Sequence, residues 1–289
     1  MTNIDLQEHK ESQILSKLNN ILIKVLLLLL GLLNFLFPKS NVHRFKKTLK
    51  FYFGLINTDN YDWVPYQKPL DFLYLDINSK PWYEVDDYDV FKKVSKRLTK
   101  NVNDIKNEWS INSSNQNNLI SRYETSKRYA SLKDDDWGKF MLWKDGNFTK
   151  SAKHLFPKTV NILSELENYY SPLYTEAVFM VLKPGVAIPA HHDSSNVTIT
   201  CHLGIKIPDN CAIRVGSETR NWVEGETLFF DHSFEHEVWN KSQEKRVILL
   251  LNLCHPELTK IEKFLLLIVK KYHSTFILNK LKAKETSKK

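Results

Sequence analysis

Residues 197–205 read VTITCHLGI, a run of β-branched and apolar residues that is typical of a β-strand. Similar short runs occur throughout residues 176–253, and turn residues such as Lys183-Pro184-Gly185 separate them. The other runs are EAVFMVL, AIRV, TLFFD, HEVWN and RVILLLNL. Several short strands at this spacing predict a β-sandwich or β-barrel for this part of the chain.

The stretch that leads into this strand, AHHDSSN at residues 190–196, combines two histidines and an aspartate. In an extended strand residues i and i+2 point to the same face, so His191 and Asp193 project together and His192 projects away. A third metal ligand must come from elsewhere. His236 opens the run HEVWN, and a closed β fold can return such a position to the first pair. Two histidines and one carboxylate form the facial triad that holds non-haem Fe(II) and leaves positions open for dioxygen and a co-substrate.

The same histidines and aspartate allow less specific interpretations. The chain has 10 histidines, so an HxD pair arises easily by coincidence. Zinc accepts the same ligand types, although the HExxH spacing of many zinc hydrolases is absent. His232 competes with His236 as the distal ligand. From the residues alone, an iron site, a zinc site and a strand with a polar entrance are all alternatives.

Arg246 opens the apolar run RVILLLNL, downstream of His236. A keto acid that chelates iron at one end needs a fixed positive partner for its far carboxylate. An arginine fork on a buried strand suits this bidentate binding. His202, on the strand after the HxD pair, is a candidate for a further polar contact.

Two helices are predicted beside the strands. Apolar residues at helical spacing indicate one within residues 88–109, and PKTVNILSELENYY at residues 157–170 indicates another. The strands and helices together predict a mainly β core with flanking helices.

The N-terminal stretch at residues 21–37, ILIKVLLLLLGLLNFLF, is apolar on every face. This predicts a membrane helix, either spanning or deeply embedded, and a buried core helix is the alternative. No small-residue cleavage site follows it, which argues against a removed signal peptide. More basic residues follow the stretch than precede it, so the positive-inside tendency places the main domain on the cytoplasmic side.

The net charge of +8 is carried by the two ends of the chain, and residues 51–259 are slightly acidic. A nucleic-acid-binding domain usually carries its basic residues on the fold, so this distribution disfavours nucleic acid and suits a lipid bilayer as partner. The C-terminal segment is predicted as a basic amphipathic interfacial helix, or alternatively as a helix packed on the domain. The chain has 3 cysteines and no CxxC pair, which favours a reducing compartment over a disulfide framework.

Several motifs, in order along the chain, resemble the aspartyl/asparaginyl β-hydroxylase family, including its bacterial lipid A acyl-chain hydroxylase branch. They are KPWYEV (80–85), DWGKFMLWKDG (136–146), PKTVNIL (157–163) and the long run from HLGIKIPD at residue 202 to CHPEL at residue 258. The resemblance covers residues 80–258.

The resemblance implies a double-stranded β-helix (jelly-roll) fold, an Fe(II) ion and 2-oxoglutarate as co-substrate. The family's two metal histidines fall on His191 and His236, its co-substrate arginine on Arg246, and a further co-substrate contact on His202. Animal protein hydroxylases of the family have a glycine where this chain has Asp193, whereas the bacterial lipid hydroxylases carry HxD as here. The carboxylate either binds the iron or hydrogen-bonds a bound ligand.

One departure from the family concerns the strand that follows the HxD pair. The family often has an arginine where this chain has Thr200. The difference bears on the binding of substrate or co-substrate rather than on the metal site.

These observations divide the chain into five predicted parts. They are an N-terminal tail (1–20), the membrane helix (21–37), a basic juxtamembrane segment and linker (38–79), the dioxygenase domain (80–258) and a basic amphipathic C-terminal segment (259–289).

The predicted function is that of a membrane-attached hydroxylase that uses Fe(II), 2-oxoglutarate and dioxygen. The HxD pair and the basic ends favour a lipid acyl chain, of the lipid A type, as the substrate. The runs FDHSFEHEVW and CHPEL favour the alternative, an Asp or Asn side chain of a peptide or protein. A catalytically silent binding module on a membrane is the third hypothesis.

Overall fold

The computed structural model describes most of the chain from residue 63 to residue 268 and shorter parts before it. The described residues are 24, 25, 27–32, 35, 36, 42–53, 55, 56, 63–113, 121, 122, 132, 136–144, 146–171 and 176–268. The chain divides into two compact units. The smaller contains residues 1–61 with 259–265, and the larger contains residues 62–258 with 266–289.

Two antiparallel sheets form the larger unit. In chain order their strands are β1 (Trp82–Tyr83), β2 (Ser121–Arg122), β3 (Trp137–Lys144), β4 (Asn147–Phe148), β5 (Glu176–Leu182), β6 (Ala187–His191), β7 (Thr198–Lys206), β8 (Cys211–Val215), β9 (Glu218–Asn221), β10 (Thr227–Asp231), β11 (His236–Asn240) and β12 (Arg246–Cys254). The major sheet has 8 strands in the order β1-β10-β7-β12-β5-β3-β2, with β4 paired to β3. The minor sheet has 4 strands in the order β6-β11-β8-β9. The predicted mainly β core is therefore confirmed.

The major sheet is buried on both faces, which is why β12 reads as an almost continuous apolar run. Leu249 and Leu251 of β12 belong to the apolar cluster on the helical side of the sheet. Ile248 belongs to a second cluster, to which the minor sheet contributes Ile213 and Val238. The second cluster therefore fills the space between the two sheets.

Helices of the larger unit cover the outer face of the major sheet. The helices of the chain are α1 (Val42–Tyr52), α2 (Asp89–Lys100), α3 (Val102–Ser113), α4 (Lys150–Leu155), α5 (Pro157–Ser164) and α6 (260–268). The single helix predicted within residues 88–109 is in fact two, α2 and α3, and the break falls at Asn101. The side chain of Asn101 donates to the carbonyl oxygen of Arg97 at 2.7 Å, as a residue at the end of a helix does.

The prediction of a membrane helix at residues 21–37 is wrong. In the described part of the chain, no helix combines the length and the apolar character needed to cross a bilayer. The described residues of this stretch are helical, but Leu30 is buried whereas Leu28 and Phe35 are exposed. The number of apolar residues does not distinguish a helix that packs one side chain, here Leu30, against protein from a helix that is surrounded by lipid. The membrane localisation and the cytoplasmic placement of the domain rested on that helix and lose their support with it.

A buried ion pair holds the smaller unit together. Arg44 of α1 donates from Nε and Nη2 to the two carboxylate oxygens of Glu262 in α6, at 2.9 and 3.0 Å. Glu262 also accepts from the backbone N–H of Thr259, while Thr259 Oγ1 accepts from the backbone N–H of Glu262. This reciprocal pair is a capping box, and it fixes the start of α6. The predicted N-terminal tail (1–20) and the rest of the predicted C-terminal segment, residues 269–289, lie outside the described residues.

Candidate metal centre

Strands β6 and β11 are neighbours in the minor sheet, and their register places His191 directly opposite His236. The centroids of the two imidazole rings are 4.1 Å apart. Asp193 follows two residues after His191, and its Oδ2 lies 3.7 Å from Nε2 of His236. One ligand atom from each of the three residues falls within 4.8 Å of the others. The structure thus brings His191, Asp193 and His236 together as a group that could hold a metal ion.

Both histidines of this group are oriented by a carbonyl oxygen close by in the chain. Nδ1 of His191 lies 2.7 Å from the carbonyl oxygen of Pro189, and Nδ1 of His236 lies 2.9 Å from that of Phe234. A carbonyl oxygen only accepts, so each Nδ1 carries the proton and donates it. The lone pair of each ring is then on Nε2, which is the arrangement found in metal-binding histidines.

The electrostatic surroundings favour an uncharged imidazole at His236. Burial lowers the pKa of His236, and the nearby Asp193 only partly offsets this effect. An uncharged imidazole is the form that binds a metal ion. Asp193 itself is 40% exposed at its side chain, so the group opens to solvent on the side of its carboxylate.

His232, the competing candidate for the distal ligand, is held by other groups. Its Nε2 donates to the carbonyl oxygen of Ser195 at 3.1 Å. Its Nδ1 lies 3.1 Å from Oγ1 of Thr200 and 3.8 Å from Oδ2 of Asp193. Both ring nitrogens therefore have partners in the fold, which favours His236 over His232 as a ligand.

Thr200, which stands where the family often has an arginine, is part of this polar cluster. Its Oγ1 also lies 3.3 Å from Oδ1 of Asn252 on the neighbouring strand β12. The hydroxyl group of Thr200 therefore contacts both His232 and Asn252.

His202 and Arg246 place polar atoms in the interior without partners. Nε2 of His202 and Nε of Arg246 are buried and make no hydrogen bond within the described residues. Unpaired buried donors are costly, and a bound ligand that accepts their hydrogen bonds would remove that cost. The two residues lie on adjacent strands, β7 and β12, of the major sheet.

Both unpaired atoms are donors that suit a carboxylate. Nδ1 of His202 accepts a hydrogen bond from Nε1 of Trp222 at 3.3 Å, so the proton of the neutral ring is on Nε2. Burial lowers the pKa of His202 well below its usual range, and the charge of Arg246 adds to this. Burial lowers the pKa of Arg246 to about 10, which still leaves it charged at neutral pH. His202 therefore offers an anion a neutral N–H donor, and Arg246 offers it a charged guanidinium group.

Trp222 is the site residue that the sequence did not reveal. It is 4% exposed, its indole N–H fixes His202, and the guanidinium of Arg246 lies 4.9 Å from its ring centroid. It thus contacts both candidate co-substrate residues. The available signal was an aromatic residue next to the Glu224-Gly225-Glu226 turn, which is too general to single out a side chain.

The chain is similar in sequence to known hydroxylases. A family model described as aspartyl/asparaginyl beta-hydroxylase matches residues 99–256. The chain is 37% identical over 125 residues to the Mus musculus protein named aspartyl/asparaginyl beta-hydroxylase, and the match covers 43% of this chain and 17% of that protein. It is 32% identical over 126 residues to the ornithine lipid ester-linked acyl 2-hydroxylase of Rhizobium tropici, and the match covers 43% of each. The matches span less than half the length of these relatives.

The solved structures that match the chain are more distant. A predicted oxalate decarboxylase from Thermotoga maritima covers 47% of this chain and 93% of its own, with 12% identity and a TM-score of 0.31. A cupin 2 conserved barrel domain protein from Salinispora arenicola covers 48% and 92%, with 13% identity and a TM-score of 0.28. Scores of this size are too low to establish a common fold.

Proposed function

Because the chain belongs to the aspartyl/asparaginyl β-hydroxylase family, we propose that it binds Fe(II) and 2-oxoglutarate and hydroxylates an unactivated C–H bond of a lipid acyl chain. The observation that carries the proposal is the group formed by His191, Asp193 and His236. Two imidazoles and one carboxylate are the ligand set that binds non-haem Fe(II) on one side and leaves the other side open.

Three residues would hold the iron, and two others would hold the co-substrate. His191 and His236 would bind iron through Nε2, because each Nδ1 is already engaged with a carbonyl oxygen. Asp193 would supply the carboxylate oxygen and reduce the charge of the ion. The buried donors of His202 and Arg246, which have no partners among the described residues, fit a carboxylate of 2-oxoglutarate.

When bound, iron and 2-oxoglutarate supply the oxidation: dioxygen is consumed, 2-oxoglutarate leaves as succinate and carbon dioxide, and one oxygen atom enters the substrate C–H bond. The chain's own residues would bind and orient the iron and the co-substrate, and they would exclude water. Arg246, which is 2% exposed, would keep the far carboxylate out of water, where a charge-assisted hydrogen bond is strong. Trp222 holds both Arg246 and His202 in place.

The lipid substrate is supported by the HxD pair and by one relative. The resemblance described above associates an aspartate at the position of Asp193 with the bacterial lipid hydroxylases. The Rhizobium tropici relative is named for acyl 2-hydroxylation of an ornithine lipid. We therefore propose an acyl chain of a membrane lipid, of the lipid A type or of another class. The lipid bilayer would then be a partner because it presents the substrate.

The alternative substrate is an Asp or Asn side chain of a peptide or protein. It is supported by the Mus musculus relative and by the run FDHSFEHEVW at residues 230–239. Nothing in the geometry of the three candidate ligands favours one substrate over the other, because the same metal chemistry serves both.

Two measurements test the proposal. The purified full-length protein is incubated with Fe(II), 2-oxoglutarate and dioxygen, and succinate is measured with and without extracted lipid. We expect lipid-dependent succinate release, and mass spectrometry should find acyl chains heavier by one oxygen atom. An unchanged lipid profile together with hydroxylation of an Asp- or Asn-containing peptide would favour the alternative substrate. Succinate release that persists at the wild-type rate in His191→Ala and His236→Ala would exclude the proposed iron site.

A further inference from the structure

A short segment of the larger unit, WVPYQKPL at residues 63–70, is hydrogen-bonded to the chain beside the ends of β6 and β11 that carry the candidate ligands. We refer to it as the rim segment. The backbone N–H of Leu70 donates to the carbonyl oxygen of Asp193 at 3.0 Å. The backbone N–H of Glu235 donates to the carbonyl oxygen of Tyr66 at 2.7 Å, and Glu235 immediately precedes His236. The rim segment is therefore hydrogen-bonded to the backbone of Asp193 and to Glu235, the residue before His236.

Further contacts fix the backbone of the rim segment. The backbone N–H of Lys68 donates to the carbonyl oxygen of Ser233 at 3.1 Å. The side-chain amide of Gln67, which is 5% exposed, donates to Oγ of Ser233 at 2.9 Å. Tyr66 has a φ of 65°, a left-handed conformation that is unfavourable for a tyrosine and persists only where the surroundings enforce it. The segment is thus a fixed feature of the metal centre.

Although its backbone is fixed, the rim segment exposes apolar side chains. Trp63 is 46% exposed, Val64 37%, Tyr66 52% and Leu70 57%. In the described part of the larger unit, the other large apolar side chains of comparable exposure are Ile111, Val223 and Leu267. Four of these seven therefore lie within eight consecutive residues, beside the metal centre. A concentrated apolar patch on a protein surface commonly marks an interaction site.

We propose that the rim segment binds the acyl chain of the substrate and directs it to the metal centre; this proposal rests on the proposed function. An acyl chain offers only CH₂ and CH₃ groups, which gain free energy by leaving water for the apolar surface of Val64 and Leu70. An Asp- or Asn-containing peptide would instead need polar partners for its amide groups and side chain. The one charged side chain of the rim segment, Lys68, is a cation that suits an anionic group of a lipid head.

The first experiment measures lipid hydroxylation by Val64→Asp and Leu70→Asp. The matched control is Ile111→Asp, which changes an apolar side chain of 70% exposure on α3. We expect each rim variant to raise the KM for the lipid about tenfold, because a carboxylate in the patch opposes burial of the chain. The control Ile111→Asp should keep the wild-type KM for the lipid, because Ile111 lies on α3 and outside the rim segment.

The second experiment detects binding without turnover. Micelles of a lysophospholipid with a brominated acyl chain quench tryptophan fluorescence on contact, and unbrominated micelles provide the reference. We expect quenching in the wild type that is largely lost in Trp63→Phe and weakened in Leu70→Asp. Trp63→Phe keeps an aromatic side chain at the position, so a loss of quenching reports the position of the indole rather than unfolding.

The two experiments separate failure of this proposal from failure of the proposed function. If wild-type protein hydroxylates lipid and both rim variants do so with the wild-type KM, only the role of the rim segment is wrong. If wild-type protein modifies no lipid but Trp63 is quenched, the rim binds acyl chains and the assigned substrate is wrong. If neither effect occurs, or if the rim variants turn a dimer into a monomer in sedimentation, the rim is not an acyl-chain site.

Discussion

Trp222 donates its indole Nε1–H to Nδ1 of His202 across 3.3 Å, and the same ring lies against the guanidinium of Arg246. Trp222→Phe keeps an aromatic ring beside Arg246 but removes the donor that fixes the tautomer of His202. The loss of one buried hydrogen bond corresponds to about 1 kcal/mol, so we expect the KM for 2-oxoglutarate to rise about fivefold with a smaller change in kcat.

The chain contains a matched control for this substitution. Trp82 also donates its Nε1–H across 3.3 Å, to the carbonyl oxygen of Glu218, and the guanidinium of Arg220 lies 4.7 Å from its ring centroid. Its indole N–H therefore serves a different part of the fold from that of Trp222. Trp82→Phe should leave the KM for 2-oxoglutarate unchanged, and an equal effect of both substitutions would mean that Trp222 acts only through packing.

The role of Arg246 is tested by Arg246→Lys. Lysine keeps the positive charge but lacks the planar fork that binds a carboxylate through two hydrogen bonds. Because a hydrogen bond to a charged group corresponds to about 1.5–3 kcal/mol, we expect the KM for 2-oxoglutarate to rise between about tenfold and a hundredfold. Arg220→Lys is the control, since Arg220 also lies over a tryptophan but pairs with Glu218 and Glu84. A wild-type KM in Arg246→Lys would contradict the assignment.

The metal ligands are tested by measuring iron binding under anaerobic conditions. We expect His191→Ala and His236→Ala to reduce the affinity for Fe(II) by at least about tenfold, since each removes one of three ligands. His192→Ala, next to His191 but outside the group, should bind iron as the wild type does. Asp193→Ala discriminates between the two roles of the carboxylate: an affinity as low as that of His191→Ala indicates a direct ligand, and a wild-type affinity indicates a contact to a bound ligand.

Asp231 makes the stability of the fold depend on pH. Burial raises the pKa of its carboxyl group to about 7, and its Oδ2 has no hydrogen-bond partner among the described residues. In the unfolded chain the pKa is 3.8, so the folded state holds a proton that the unfolded state loses. The free energy of unfolding should therefore fall as the pH rises from about 4 to about 7, by an amount on the order of a few kcal/mol.

Asp231→Asn tests this dependence. The amide oxygen can still accept the hydrogen bond from the backbone N–H of Ser233, which the wild-type carboxylate accepts at 2.8 Å. Urea unfolding at pH 5 and pH 8 should show a smaller loss of stability in the variant than in the wild type. Asp209→Asn, at an exposed position, should behave as the wild type does. An unchanged pH dependence in Asp231→Asn would show that other groups cause it.

The positions of the β-strands from residue 176 onwards were predictable because apolar runs and turn residues reflect local physics. Strand alternation predicted that His191 and Asp193 project together, and the structure brings both side chains into one group although β6 ends at His191. The position of His236 could not be predicted from local pattern alone, because its approach to His191 depends on the register between β6 and β11. The resemblance to the family supplied that pairing.

Two features, Trp222 and the stretch at residues 21–37, could not be predicted correctly from sequence patterns, for different reasons. Trp222 contacts His202 and Arg246, which lie on the neighbouring strands β7 and β12, and the residues beside Trp222 in the sequence give no sign of these contacts. For the leucine-rich stretch at residues 21–37, by contrast, the pattern was clear but the predicted membrane helix was wrong. Its composition suits lipid, but the burial of Leu30 is a property of the fold and cannot be read from hydropathy.

The carbonyl contacts of the two histidines separate the direction of each ring from the distance between the rings. Each imidazole is oriented by the carbonyl oxygen two residues before it, at Pro189 for His191 and at Phe234 for His236. The orientation of each ring is therefore encoded within three consecutive residues. The distance between the two rings is instead set by the register between β6 and β11, so the direction and the spacing of the two imidazoles have separate structural causes.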